Sequence, residues 1–191
     1  MMELLTDKRG APQLLERVGA GREGRADLED SFEDIYRRRY RDVFRYALLM
    51  LRHEAEAEDA TAEAFDRAYS AWRAGHGPSG QALPWLLLIT RRIVIDKMRR
   101  RRLLAWLPIG ALRPADEPAS AGDTDRSDFW LWFDSFARDL PPRQREVLIL
   151  RYQRDLDDQS IGEILGLSAS GVRSLVARAC EALRGNPEIW R

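Results

Sequence analysis

Two histidines, His53 and His76, and one cysteine, Cys180, are the only side chains of their kinds in 191 residues. His53 adjoins an acidic stretch and His76 lies among glycines, and neither has a cysteine or second histidine at metal-ligand spacing. No glycine-rich phosphate loop follows a strand-like run. What remains is charge. Seven of the twelve residues from Arg91 to Arg102 are Lys or Arg, whereas Glu54, Glu56, Glu58, Asp59 and Glu63 crowd an earlier stretch. A third group, Ser168, Ser170, Gly171, Arg173, Ser174 and Arg178, mixes hydroxyls, guanidiniums and a bare backbone. Such groups hold phosphates, hydrogen-bond base edges and pair with charged protein surfaces. The expectation is a binding protein with no catalytic residue, no metal and no cofactor.

The formal net charge of zero hides this division of labour. Residues 31–107 hold fifteen Lys and Arg against ten Asp and Glu, while residues 108–138 hold three against six. A basic stripe, rather than overall charge, is the electrostatic footprint of nucleic-acid binding. Charged residues at 32% and aromatics at 9% fit a folded globular chain. A single cysteine excludes an internal disulfide and a cysteine-based zinc site, and it fits a reducing cytoplasm. No apolar run approaches the roughly 18 residues of a membrane span, so no membrane insertion is expected.

The elements that must position these groups are helices throughout. After a glycine-containing leader, 1–30, with one short helical candidate at Pro12 to Val18, Ser31 opens a helix. Phe32, Ile35, Tyr36, Tyr40, Val43, Phe44, Ala47, Leu48 and Leu51 keep its three-and-four spacing. A second helix runs from about Glu54 to Trp72, its inward stripe including Ala57, Thr61, Ala64, Phe65 and Ala68. Its early acids also suit the positive end of a helix dipole. The loop at 74–82 separates it from a third helix with Pro84 in a favourable first-turn position. Trp85, Leu86, Ile89, Ile93 and Val94 face inward there, and the basic run faces outward.

Residues 108–127, with Pro108, Pro114, Pro118, Gly110 and Gly122, read as an acidic linker between two modules, 31–107 and 128–191. In the second module Phe129, Trp130, Trp132, Phe133 and Phe136 open a helix, and Pro142 starts another carrying Val147, Leu148, Leu150 and Tyr152. Asp157 or Asp158 caps a short helix with Ile161, Ile164 and Leu165. Gly166 suits the following turn, since it lacks the Cβ that makes positive φ costly. Ser168 then caps a last helix with Val172, Leu175, Val176, Ala179 and Leu183 inward. Short helix, glycine turn and helix make a helix-turn-helix, which places its second helix in a DNA groove. The expected fold is all-α, in two small helical domains.

Four ordered stretches resemble bacterial sigma-70-family initiation factors of the small extracytoplasmic-function type, which have only regions 2 and 4. They are AEDATAEAFDRAYSAW (57–72), PWLLLITRRIVIDKMRRRR (84–102), LPPRQREVLILRY (140–152) and SIGEILGLSASGVRSLVARACEALR (160–184). A stand-alone duplex-binding regulator would need the last two alone. The resemblance implies that the acidic helix docks on the β′ clamp helices of core RNA polymerase through Asp59, Thr61, Glu63 and Phe65. It implies −10 promoter contacts by Arg91, Arg92, Lys97, Arg99 and Arg100, with the 74–82 loop capturing a flipped base. It implies −35 contacts by Ser168, Ser170, Gly171, Arg173, Ser174 and Arg178, and packing of this module on the polymerase β flap. An anti-sigma factor is a further partner that the resemblance suggests. The chain departs from the family pattern at Ala62, Arg92, Ser160, Gly162 and Leu175. Ser160 and Gly162 in place of glutamate and alanine are expected to loosen the short helix, and Leu175 in place of arginine makes promoter choice hard to read.

Overall fold

The computed structural model describes residues 31–105, 137, 140–154 and 156–184. The leader 1–30, the 108–127 linker, the aromatic run from Phe129 to Phe136 and Trp190 lie outside them. Among the described residues there are helices and no strands: α1 (Phe32–Leu51), α2 (Glu54–Arg73), α3 (Ala82–Ala105), α4 (Pro142–Arg154), α5 (Asp158–Leu165) and α6 (Ala169–Arg184).

Local chemistry sets the boundaries. The Ser31 hydroxyl accepts from the Asp34 backbone N–H, closing the first turn of α1. Asp157, rather than Asp158, caps α5 by accepting from the Ser160 N–H at 2.7 Å. Gly166 ends α5 at φ 67°, where an L side chain would be strained. The third helix begins two residues before Pro84, which stays within the first turn, where a missing N–H costs no helical bond.

In the first module α1, α2 and α3 pack on one another, and in the second α4, α5 and α6 do so. Trp85, Leu86, Val94, Val43, Tyr46 and Ala64 fill the centre of the first; Val147, Ile161, Ile164 and Val172 fill the second. The three-and-four apolar stripes thus do what their spacing requires. The modules also touch each other. α1 packs against α4 and α3 against α5, so that their apolar residues join one continuous core.

Candidate nucleic-acid interface

The acidic helix α2 presents less to the outside than its sequence implies. The Asp59 side chain is 75% exposed and lies 3.9 Å from the Lys97 ammonium of α3. Glu63 is half-buried and pairs with Arg67 one turn on. Thr61 and Phe65, expected on the same docking surface, are buried instead. The Thr61 hydroxyl donates to the Ala57 carbonyl at 2.7 Å, which satisfies it without a partner protein. Phe65 sits among Phe32, Tyr36 and Tyr40, its ring centroid 4.7 Å from that of Tyr36. Helical spacing puts Thr61 and Phe65 on the inward stripe, nearly half a turn around from Glu63 between them. They position the acidic face; they do not form it.

The basic helix α3 is likewise divided. Arg99, Arg100 and Arg102 are exposed, and Arg92 is half-buried. Arg101 turns back, bonding Glu56 of α2 at 2.7 Å and the Leu51 carbonyl at the end of α1 at 2.9 Å. Arg91, expected to meet phosphate, points into the molecule. Its guanidinium donates to Glu146 of α4 at 2.8 Å through Nε, with Nη2 at 3.4 Å from the second carboxylate oxygen. Sequence reading missed Glu146 entirely. Its one signal was an acid set directly before the apolar run Val147 to Leu150, where a charge needs a buried partner.

Trp85 is fully buried, so it is core and not a surface on which a base could stack. The loop ahead of α3 is held by its neighbour on α2. A Cβ on Gly77 would lie 2.9 Å from Cδ1 of Trp72, and the His76 N–H donates to the Ala71 carbonyl.

The helix-turn-helix is tightly closed. A Cβ on Gly162 would come within 2.6 Å of the Leu167 carbonyl oxygen, so the glycine admits a close approach of the turn. The Leu167 N–H donates back to the Gly162 carbonyl at 2.8 Å. The missing Cβ at Gly162 is what admits this contact. Ser168 caps α6 by accepting from the Gly171 N–H at 3.1 Å, and its hydroxyl also lies 3.1 Å from that of Ser170. Ser170, Arg173, Ser174 and Arg178 are exposed. Arg178 folds back on the Ser174 carbonyl. Leu175 is buried, so its replacement of arginine changes the core and not the groove-facing surface.

Arg173 stands on the outer face with its side chain 62% exposed, and bonds Asp158 of α5 at 3.1 Å. Asp158 also pairs with Arg151 of α4. Hydrogen bonds from Arg151 and then Arg173 hold its carboxyl below the usual aspartate range. Because the folded value is depressed, this contribution to stability is complete above the ordinary aspartate pKa and is lost as pH falls through the depressed one. Acid melts of the wild type should therefore weaken only below about pH 4 from this source. Asp158→Asn should remove that part of the acid dependence, read from melting temperatures at neutral and acid pH. An equal loss in both proteins would assign the acid sensitivity to other groups.

The two modules thus offer a solvent-facing cationic helix end and a capped helix with arginine and serine at its start. Both suit nucleic acid: the first a phosphate backbone, the second a groove.

Comparison with known proteins matches these halves separately. A family model described as Sigma-70 region 2 matches residues 35–103, and one described as Sigma-70, region 4 matches residues 138–185. The ECF RNA polymerase sigma factor SigC of Mycobacterium tuberculosis is 33% identical over 149 residues, covering 77% of this chain and 78% of that protein. SigM of Bacillus subtilis, also an ECF RNA polymerase sigma factor, is 24% identical over 154 residues, covering 81% and 93%. Among solved structures, the sigma factor RpoE in complex with the anti-sigma factor NepR from Bartonella quintana has a TM-score of 0.64 at 21% identity, covering 84% of this chain and 98% of that one.

Proposed function

Because the chain belongs to the sigma-70 family, with the two regions of its extracytoplasmic-function members, we propose that it reads promoters at two points for core RNA polymerase. It is a promoter-recognising factor for transcription initiation. The observation that carries this reading is the ordered pair of modules, an acidic and basic helix pair followed by a helix-turn-helix. A lone repressor needs only the latter.

In this reading Asp59 and Glu63 meet the β′ clamp helices, with Thr61 and Phe65 holding α2 in place behind them. Arg92, Lys97, Arg99 and Arg100 contact the −10 strands, where separated bases leave a flexible, charged backbone. Capture of an unstacked base in the 74–82 loop shifts the duplex toward melting without ATP. Arg173 reaches a base edge or phosphate of the −35 duplex from the start of α6; Ser170, Ser174 and Arg178 add backbone contacts, and Ser168 and Gly171 set the helix start. The second module packs on the β flap. The factor is non-catalytic and works in the cytoplasm, where polymerase and DNA are. No helix among the described residues is long and apolar enough to cross a membrane. An anti-sigma factor is a further partner, since a structural neighbour was solved with one bound.

The deciding test is transcription in vitro with purified core polymerase and a promoter library, followed by mapping of start sites. Absence of any transcript that depends on this chain would overturn the reading. Asp59→Arg should weaken polymerase binding by about tenfold, because it puts like charge where an opposite one docked. Far-UV circular dichroism should be unchanged, since Asp59 is exposed. Wild-type affinity in that variant would remove Asp59 from the interface.

A further inference from the structure

Two arginines on the outer face of α6 are held in different ways. Arg178 donates to the Ser174 carbonyl of its own helix at 3.3 Å. Arg173 reaches across the turn instead, its Nη1 donating to Oδ2 of Asp158 in α5 at 3.1 Å, while Oδ1 of that carboxylate accepts from Arg151 of α4. Asp158 is not needed to cap its helix, because Asp157 does that through the Ser160 N–H. A half-buried acid is thus fixed on one oxygen by a half-buried cation and lies with the other against the exposed guanidinium of Arg173.

A carboxylate in that place treats the two kinds of DNA acceptor unequally. A phosphate arriving on the Arg173 guanidinium brings a second negative charge beside Asp158, and like charges that close repel. Guanine O6 and N7 are acceptors without net charge, so a base edge takes Arg173 without that repulsion. Nor is Asp158 stranded when Arg173 goes over to DNA. Arg151 stays on it, and a half-buried charge keeps a partner.

We propose that Asp158 is a specificity-determining residue of the −35 contact, steering Arg173 away from phosphate and onto a base edge, with Arg151 as the residue that positions it. Its effect is one of selectivity, since it penalises the wrong acceptor and adds no contact to the right one. This rests on the promoter-reading function above and adds a choice between the two acceptors open to Arg173.

The test uses holoenzyme made from the full chain and core polymerase, binding a panel of −35 substitutions and a promoter-free duplex across a range of salt. Asp158→Asn should narrow the gap between the best and the substituted −35 sequences by at least about fivefold, the low end of what a base contact carries. Asp158→Ser, a second neutral variant, should do the same, and both should bind promoter-free duplex more tightly. Asp158→Glu keeps the charge and should keep wild-type discrimination. With Asp158 present, Arg173→Ala should leave the slope of log affinity against log salt unchanged. In the Asp158→Asn background the same truncation should lower that slope by about 0.9, the share of one phosphate contact. A merely structural role for Asp158 would move stability and leave the slope alone. The proposal is overturned if a neutral variant with native circular dichroism keeps wild-type discrimination, or if Arg173→Ala already lowers the slope with Asp158 in place. Wild-type holoenzyme that binds every −35 sequence alike would instead overturn the promoter reading, and this assignment with it.

Discussion

Phe65→Ala is expected to destabilise the first module by about 3–5 kcal/mol, the range for emptying a buried aromatic site. The ring lies in the middle of a cluster, edge-on to Phe32 and Tyr36 and stacked with Tyr40 at centroid distances of 6.4, 4.7 and 6.2 Å. Three partners lose contact at once, and the side chains of Phe32 and Tyr40 are too large to rotate into the space unaided. That loss is a large share of the 5–15 kcal/mol typical of a whole domain. Thermal melts should show the module unfolding well below the wild type, with polymerase binding falling in proportion to the folded fraction. Phe65→Leu refills most of the volume and should recover both. A Phe65→Leu protein that is folded but does not bind polymerase would place the ring in the interface and contradict its buried position.

Arg173→Ala should cost about 1–3 kcal/mol of −35 discrimination if its guanidinium reads a base, which is roughly 5- to 150-fold. The side chain has two claims on it. Asp158 holds it now, at 3.1 Å, and DNA would replace that carboxylate with a base edge or phosphate. Truncation should leave the fold intact, because Arg173 is exposed and Asp158 retains Arg151. Binding of polymerase holoenzyme to a panel of −35 substitutions separates the outcomes. Loss at one base position identifies base reading; uniform loss across sequences would make Arg173 a phosphate contact.

Periodicity was a good guide to the helices and a poor one to their charged faces. α1 starts where its capping serine, apolar stripe and acidic first turn agree, and α2 falls within a residue of its expected limits on stripe and acidic first turn alone, its cap being His53. The exposed position of Asp59 follows from the stripe of α2, and the buried one of Trp85 from the stripe of α3. Spacing says which face a residue is on, but not what lies opposite. Arg91 looked like one more cation in a basic run, and only the tertiary fold brings Glu146 to it from 55 residues away. Thr61 and Phe65 were drawn toward the docking surface by motif, although their own register placed them inside. Tyr152, read as filling α4, is exposed in the fold. Gly162 was legible only as a departure; that the turn presses its carbonyl into the missing Cβ position depends on backbone geometry.

The hydrogen bond between Tyr46 and Glu146 joins groups 100 residues apart, and this sets an order of events during synthesis. Helices and neighbouring-helix contacts form from nearby residues and form quickly. Bringing together groups so distant in the chain costs about 4 kcal/mol of loop-closure entropy, and more as a constant. A ribosome makes the first module before the second, and domains fold as they emerge. Tyr46 and Arg91 are thus in place while Glu146 is still unmade. Every newly synthesised molecule passes through an interval in which its first module is folded while Tyr46 and Arg91 still lack the carboxylate that later accepts from both.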